Sequence, residues 1–275
     1  MLRIEHLTKN YGTKTAVDDL SLHIQPGEIY GFIGHNGAGK TTTLKAVTGI
    51  IQFDSGEIYV GGRSVKAEPI ECKKQIAYIP DNPDLYEYMT GIQYLNFIAD
   101  IFCVDPETRA KRIHEYASVF ELEPSLAMPI SSYSHGMKQK LAIISALIHE
   151  PKLVIMDEPF VGLDPVASHT LKGYMRDICN AGGAIFFSTH VLEVAEKLCD
   201  KVAIIKSGKL IKAGTMEEVK GDASLESVFL ELAEEPEIVP QDRNNTPGGG
   251  GGGLFGRRNS SEPQLLGQKK GLFGR

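Results

Sequence analysis

A chain of 275 residues, 42% of them hydrophobic, can bury one large core or a core with a subdomain. It has no run of about 18 apolar residues, so no helical membrane span is expected, and the start Met1-Leu2-Arg3-Ile4-Glu5 lacks a secretory apolar region, so the chain is expected to stay in the cytoplasm. The net charge of −6 argues against a nucleic-acid surface, which needs a concentrated basic patch, and Cys72, Cys103, Cys179 and Cys199 lack metal-ligand spacing, so neither zinc nor a disulfide is indicated.

Met1 to about Pro80 reads as β-rich. The strand-like run Glu28 to Ile33 leads into Gly34-His35-Asn36-Gly37-Ala38-Gly39-Lys40-Thr41, which fits the phosphate-binding loop pattern and opens a helix-like run. Its glycines let successive backbone N–H groups turn inward around β- and γ-phosphates, and the helix that follows points its positive end at the same anion. Lys40 would reach the terminal phosphates, and Thr41 would offer a hydroxyl to Mg²⁺, which prefers hard oxygen ligands. The alternative is a glycine-rich turn that only caps a helix. Further on, Gly56-Glu57-Ile58-Tyr59-Val60-Gly61-Gly62 reads as a strand closed by a glycine turn.

Asn82 to Glu150 is mainly helical, with Leu95, Ile98, Ala99 and Phe102 on one face, and it interrupts the phosphate-loop core. Within it, Ser134 and Gly136 precede the amphipathic run Met137 to His149, so they lie at a helix N-terminus that favours an anion; alternatively Ser134 is simply an N-cap. Leu153-Val154-Ile155-Met156-Asp157 is a short apolar run ending in an acid, as a buried parallel strand would deliver a carboxylate to Mg²⁺. Glu158 is then placed to polarise or deprotonate a water for attack on a γ-phosphate. Ala184 to Thr189 is another buried strand with His190 at its end, where an imidazole could meet the γ-phosphate. Val202 to Ile211 is hairpin-like around Ser207-Gly208, and Leu225 to Glu235 is helical.

In this order and spacing, the motifs resemble the nucleotide-binding subunit of an ABC transporter over about Met1 to Val219. The resemblance implies an α/β fold: a P-loop NTPase (RecA-like) core, an antiparallel β-subdomain and an inserted α-helical subdomain, followed by a flexible C-terminal tail. The ATPase domain would span 1–220 with the helical insertion at about 82–150, and a C-terminal helix would span 221–240. Gly34 to Thr42, including Thr42, resemble Walker A, and Leu153 to Glu158 resemble Walker B with its catalytic glutamate. Tyr11 resembles the aromatic that stacks on adenine, Tyr133-Ser134-His135-Gly136-Met137 the signature, Val161-Gly162-Leu163-Asp164 the D-loop and His190 the switch histidine. The implied cofactors are ATP and Mg²⁺. The implied partners are a multi-span membrane permease and a second ATPase subunit, identical or not, whose signature caps the ATP of the first. The segments Met156 to Phe160 and Ser188 to Glu193 resemble bacterial exporter subunits with a separately encoded permease, which would place the chain on the cytoplasmic face of the membrane. A soluble ABC-type ATPase acting on ribosomes or nucleic acid is the alternative; such relatives usually carry two domains or coiled-coil insertions.

Three positions depart from the family pattern. Tyr133, His135 and Met137 replace signature residues, while Ser134 and Gly136 are kept. Asp81 stands where a glutamine is expected; it could hold Mg²⁺ or its water, or cap the turn at Asn82-Pro83. Val161-Gly162 replaces the usual Ser-Ala of the D-loop, and Asp164 before Pro165 also reads as an N-cap. Tyr86, Tyr88, Met89 and Tyr94 lie where the family receives a helix of the membrane subunit, although each could equally be core. Residues 241–275 read as a flexible tail holding a run of six glycines, Gly248 to Gly253, and two copies of Gly-Leu-Phe-Gly-Arg, with five basic residues and one acidic residue from 248 onward. The copies are candidate docking motifs for a partner or an anionic membrane, or part of a disordered tail.

Overall fold

The computed structural model describes residues 1–234. The glycine run and both Gly-Leu-Phe-Gly-Arg copies lie outside the described residues.

Two sheets form the body. Strands β1 (Leu2–Tyr11), β2 (Lys14–Ile24), β4 (Ser55–Val60) and β5 (Arg63–Ser64) make an antiparallel sheet in the order β2-β1-β4-β5. The second sheet has the order β10-β9-β3-β8-β7-β6, from β3 (Ile29–Ile33), β6 (Ile76–Ile79), β7 (Leu153–Asp157), β8 (Ala184–Thr189), β9 (Lys201–Lys206) and β10 (Lys209–Thr215). Its strands β9, β3, β8, β7 and β6 run parallel, and β10 pairs antiparallel with β9 around Ser207-Gly208.

The apolar runs are continuous because both faces of the parallel sheet are covered. Side chains alternate between the two faces. Ile29, Ile33, Val154, Met156, Ile185 and Phe187 belong to one core, shared with the helical region. Tyr30, Phe32, Leu153, Ile155, Ala184 and Phe186 belong to the other, shared with the antiparallel sheet and with helix α1 (Lys40–Val47).

Between β6 and β7 the chain is helical, with α3 (Gly91–Ile101), α4 (Pro106–Val119) and α5 (His135–Leu147); α2 (Pro69–Lys73) precedes β6. Local chemistry sets these boundaries. Thr90 and Gln93 form a capping box at α3, Asp105 caps α4 ahead of Pro106, and Ser134 Oγ accepts the Met137 N–H at α5. The Ser134 cap geometry is thus present, as one reading of the sequence had it. Asp164 likewise caps α6 (Pro165–Asn180), accepting the Ala167 N–H at 2.8 Å. Helices α7 (Leu192–Leu198), α8 (Met216–Lys220) and α9 (Leu225–Glu234) complete the described chain, and none of its helices is long and apolar enough to cross a membrane.

His149 joins the insertion to the sheet. Its ring stacks on Phe102 with centroids 3.7 Å apart, Nε2–H donates to the Ile76 carbonyl, and Nδ1 is buried without a partner. Burial pushes this imidazole down to about 4 against its ordinary 6.5; the Ile76 carbonyl opposes the shift and the nearby Arg112 charge adds to it. An unfolded chain therefore binds the proton more readily between pH 6.5 and 4, and stability falls as pH drops through that window. The expected loss by pH 4.5 is about 2 kcal/mol. Thermal melts of the full chain and of His149→Gln should diverge in slope over pH 6.5 to 4.5, with the variant the flatter.

Candidate functional site

The parallel strands β3, β8 and β7 end together. Asp157 pairs with Ser188, and Ile33 with Thr189, so the loop after β3 faces the acids after β7. This crevice at the carboxyl ends of the strands is where open α/β sheets bind ligands.

Gly39 begins α1 in the left-handed region, with φ 108°, and no side chain caps this helix. A Cβ on Gly39 would run into the Ala16 carbonyl of β2, so only glycine lets the loop lie so close. The first-turn N–H groups of α1 are left for an anion. Lys40 is buried; its Nζ donates to the Gly34 carbonyl at 2.7 Å and the His35 carbonyl at 3.3 Å, and lies 3.7 Å from Glu158 Oε1.

A cleft of about 280 Å³ lies over the loop. His35, Asn36, Gly37, Gly39, Lys40, Thr41 and Thr42 line one side, and Asp81, Asp157 and Glu158 another. Gly34 and Ala38 are buried behind this wall. Thr41 Oγ1 donates to Asp157 Oδ2 at 2.6 Å, and Asp81 lines the same space with no hydrogen bond to the turn at Asn82. Of the two readings open at Asp81, no capping bond is found among the described residues, and Asp81 lines the cleft. A hydroxyl and carboxylates around one cleft form a hard, all-oxygen donor set, which fits Mg²⁺.

Ser188 organises the acids. Its Oγ donates to Asp157 Oδ1 and accepts the Glu158 N–H at 3.1 Å. Glu158 itself has φ 48°, a left-handed turn that swings its side chain back over the strand ends. One carboxylate oxygen, Oε2, meets His190 Nδ1 at 2.9 Å and the His190 N–H at 3.3 Å, while Oε1 is buried without a hydrogen bond. Tyr78 of β6 also has a buried, unpartnered hydroxyl; burial raises its phenol strongly and the Asp157 and Asp81 charges raise it further. It remains a neutral O–H donor beside the acids.

Other candidates stand outside the cleft. His190 is exposed on the far side of Glu158. Tyr11 is 51% exposed, with the Lys9 ammonium 5.1 Å from its ring centroid. Ser134 and Gly136 do not line the cleft of their own chain. His135 turns toward the D-loop, since a Cβ on Gly162 would fall 2.5 Å from its ring. Lys140 Nζ, 2.8 Å from Asp164 Oδ2, makes a second link between α5 and the same loop. Hydrogen bonding by the Ala167 N–H, with Lys140 beside it, holds the Asp164 carboxyl below the usual range.

Sequence reasoning missed Lys14 and Ala16, which line the cleft from β2, and the roles of Ser188 and Tyr78. Lys14 was within reach, because it pairs across the hairpin with Tyr11. Ser188 was readable only with the register that sets it opposite Asp157.

Residues 17–161 match the ABC transporter family model. The ABC-type transporter ATP-binding protein EcsA of Bacillus subtilis (strain 168) is 35% identical over 240 residues, 86% of this chain and 97% of EcsA. The linearmycin resistance ATP-binding protein LnrL of the same organism is 35% identical over 215 residues, 78% of this chain and 69% of LnrL. A solved ATP-binding subunit of an ABC transporter superposes with a TM-score of 0.82 at 34% identity, covering 85% of this chain and all of that one.

Because one hydroxyl fixes both acids, Ser188→Ala leaves the buried Asp157 Oδ1 unpaired and the Glu158 N–H held only by the Ser188 carbonyl at 3.2 Å, at a cost of about 1–3 kcal/mol. The expected outcome is a lower melting temperature together with an ATPase rate reduced by roughly tenfold, about 1.4 kcal/mol of transition-state stabilisation lost because Asp157 and Glu158 are no longer fixed in place. Steady-state phosphate release and a thermal melt check it.

Proposed function

This chain belongs to the ABC transporter family of ATP-binding proteins, and we propose that it acts as one of two ATPase subunits that close around two ATP molecules to drive a multi-span permease in export. It binds ATP with Mg²⁺ and hydrolyses ATP, as its family does. The observation that carries the proposal is the division of the site. The phosphate loop and the acids share one cleft, while Ser134 and Gly136 sit at the N-terminus of α5 outside it. A second subunit offering its Ser134 hydroxyl and α5 N–H groups to the ATP held by the first would complete two sites, and a lone subunit would complete none.

In this reading Lys40 and the α1 N–H groups hold the β- and γ-phosphates. Thr41 and Asp157, with Asp81 nearby, hold Mg²⁺, which when bound offsets phosphate charge. Glu158 orients the attacking water and accepts its proton as the new bond to the γ-phosphorus forms and the bond to ADP breaks. Its Oε1, which holds no hydrogen bond, is available for that proton, while His190 grips Oε2 and fixes the carboxylate. Tyr11, which pairs across the hairpin with the cleft-lining Lys14, serves the adenine.

In this reading the helical insertion carries the permease contact. Tyr88 is 80% exposed, and Tyr86 clusters with Tyr88, Tyr94 and Phe97 at 5.6 to 6.1 Å. The exposed Tyr86 and Tyr88 suit a protein interface, while Tyr94 and Met89 are part-buried against the core. Export is supported by the likeness to LnrL, named for linearmycin resistance, and the chain would then sit on the cytoplasmic face of the membrane through its permease.

Two outcomes test the proposal. Glu158→Gln should still bind ATP but run as a dimer on gel filtration with ATP and Mg²⁺; rapid turnover by this variant would refute the assigned role. Gentle detergent extraction of membranes carrying the N-terminally tagged chain should co-purify a multi-span protein in stoichiometric amount. Recovery of the chain alone, or on ribosomes, would remove the transporter role.

A further inference from the structure

The phosphate loop is backed by the far end of the chain. On α9, the Phe229 ring lies 4.6 Å from the His35 ring, tilted by 49°. His35 lines the ATP cleft on one side. On its other side it closes a small apolar void of about 10 Å³, together with Ile205, Ile211, Phe229 and Leu232. Phe229 is only 9% exposed, so this is a packed contact.

The main chain of His35 matters to ATP directly. Its carbonyl accepts the Ala38 N–H at 3.1 Å and Lys40 Nζ at 3.3 Å, so a shift of this residue carries the phosphate-binding lysine with it. The next support is the β9–β10 turn, where the Gly208 N–H donates to the Ala38 carbonyl at 2.9 Å. Helix α9 is in turn fixed to the body: Leu225 is fully buried, its N–H donates to Glu196 Oε2 at 3.4 Å, and Lys206 Nζ donates to the Leu232 carbonyl at 3.3 Å. A rigid chain of contacts therefore runs from Glu196 through α9 and Phe229 to the loop.

We propose that Phe229 is a positioning residue for ATP: by bearing on the His35 ring it holds the phosphate loop in its phosphate-receiving shape, and ATP affinity depends on the C-terminal helix. This rests on the loop being the ATP site. Phe229 touches no phosphate; it acts through His35. Coupling of this kind is reciprocal, so bound ATP must also make α9 harder to open.

The test uses the full chain with Mg²⁺ and a fluorescent ATP analogue, beside steady-state ATPase assays. Phe229→Ala should weaken analogue binding and raise KM three- to tenfold while kcat moves less. Phe229→Leu, which keeps apolar volume but lacks the ring, should do the same and carries the test if the alanine variant fails to fold. The His35→Ala, Phe229→Ala double variant should be no weaker than the weaker single one. Hydrogen exchange of the α9 amides should slow with ATP in the wild type and not in His35→Ala. Folded Phe229→Leu with unchanged affinity, or additive effects of the two sites, would overturn the proposal. Lys40→Ala separates the two levels. If it binds the analogue normally, the loop is not the ATP site and both readings fall; if it loses binding while the Phe229 variants do not, only the role of Phe229 falls.

Discussion

Everything at this site depends on a register: Asp157 and Ser188 stand opposite each other on adjacent parallel strands, joined by a hydrogen bond from the Ser188 hydroxyl. Parallel strands with both faces buried cannot slip by one residue without turning their core side chains to the wrong layer. Ile155 with Phe186, and Val154 with Ile185, lock the pairing from opposite faces. The hydrophobic cores thus fix the register at which the acid emerges. The same register sets Ile33 beside Thr189, so the phosphate loop leaves its strand next to the strand that ends before His190.

Concentrating charge at one edge requires compensation. Lys40 is buried, and a buried ammonium is tolerated only with partners. Two loop carbonyls and the Glu158 carboxylate at 3.7 Å supply them. On the acid side Asp157 takes Thr41 and Ser188, and Glu158 takes His190, which leaves one oxygen of Glu158 without a hydrogen bond. Groups already fixed in place need no rearrangement as charge develops during phosphoryl transfer. The left-handed φ of Glu158 is part of the same arrangement, since a residue that simply continued β7 would alternate to the opposite face from Asp157.

The sequence made legible what short-range chemistry dictates. The phosphate loop, the apolar strand ending at Asp157, the hairpin around Ser207-Gly208 and the caps at Ser134 and Asp164 all follow from neighbours a few residues apart. What could not be read depends on contacts between distant segments. Ser188 looked like any strand residue until pairing placed it against Asp157. Lys14 and Ala16 reach the cleft only because the antiparallel sheet folds over the loop, so close that the Ala16 carbonyl leaves no room for a Cβ on Gly39. Asp81 was ambiguous because a turn cap and a cleft carboxylate carry the same local signature, and only the fold shows that it lines the cleft. Nor could the sequence show that His35, an unremarked member of the loop, faces an aromatic ring from the last described helix.

The departures from the family pattern also explain one another once seen in space. His135 brings a ring where a glycine would leave a gap, and Gly162 removes the methyl that an alanine would put against that ring. Since Gly162 also has φ 80°, the smaller residue relieves both the clash and the backbone strain of the loop. The Lys140–Asp164 pair ties the next turns of the same two segments. Helix α5 and the loop after Glu158 are thereby joined by sterics at one point and by charge at another. A force that moves the helical insertion, where the exposed Tyr86 and Tyr88 sit, has a short mechanical route through α5 to the segment that follows Glu158. Such a route requires packed, complementary contacts and does not require the family's own residues at those positions.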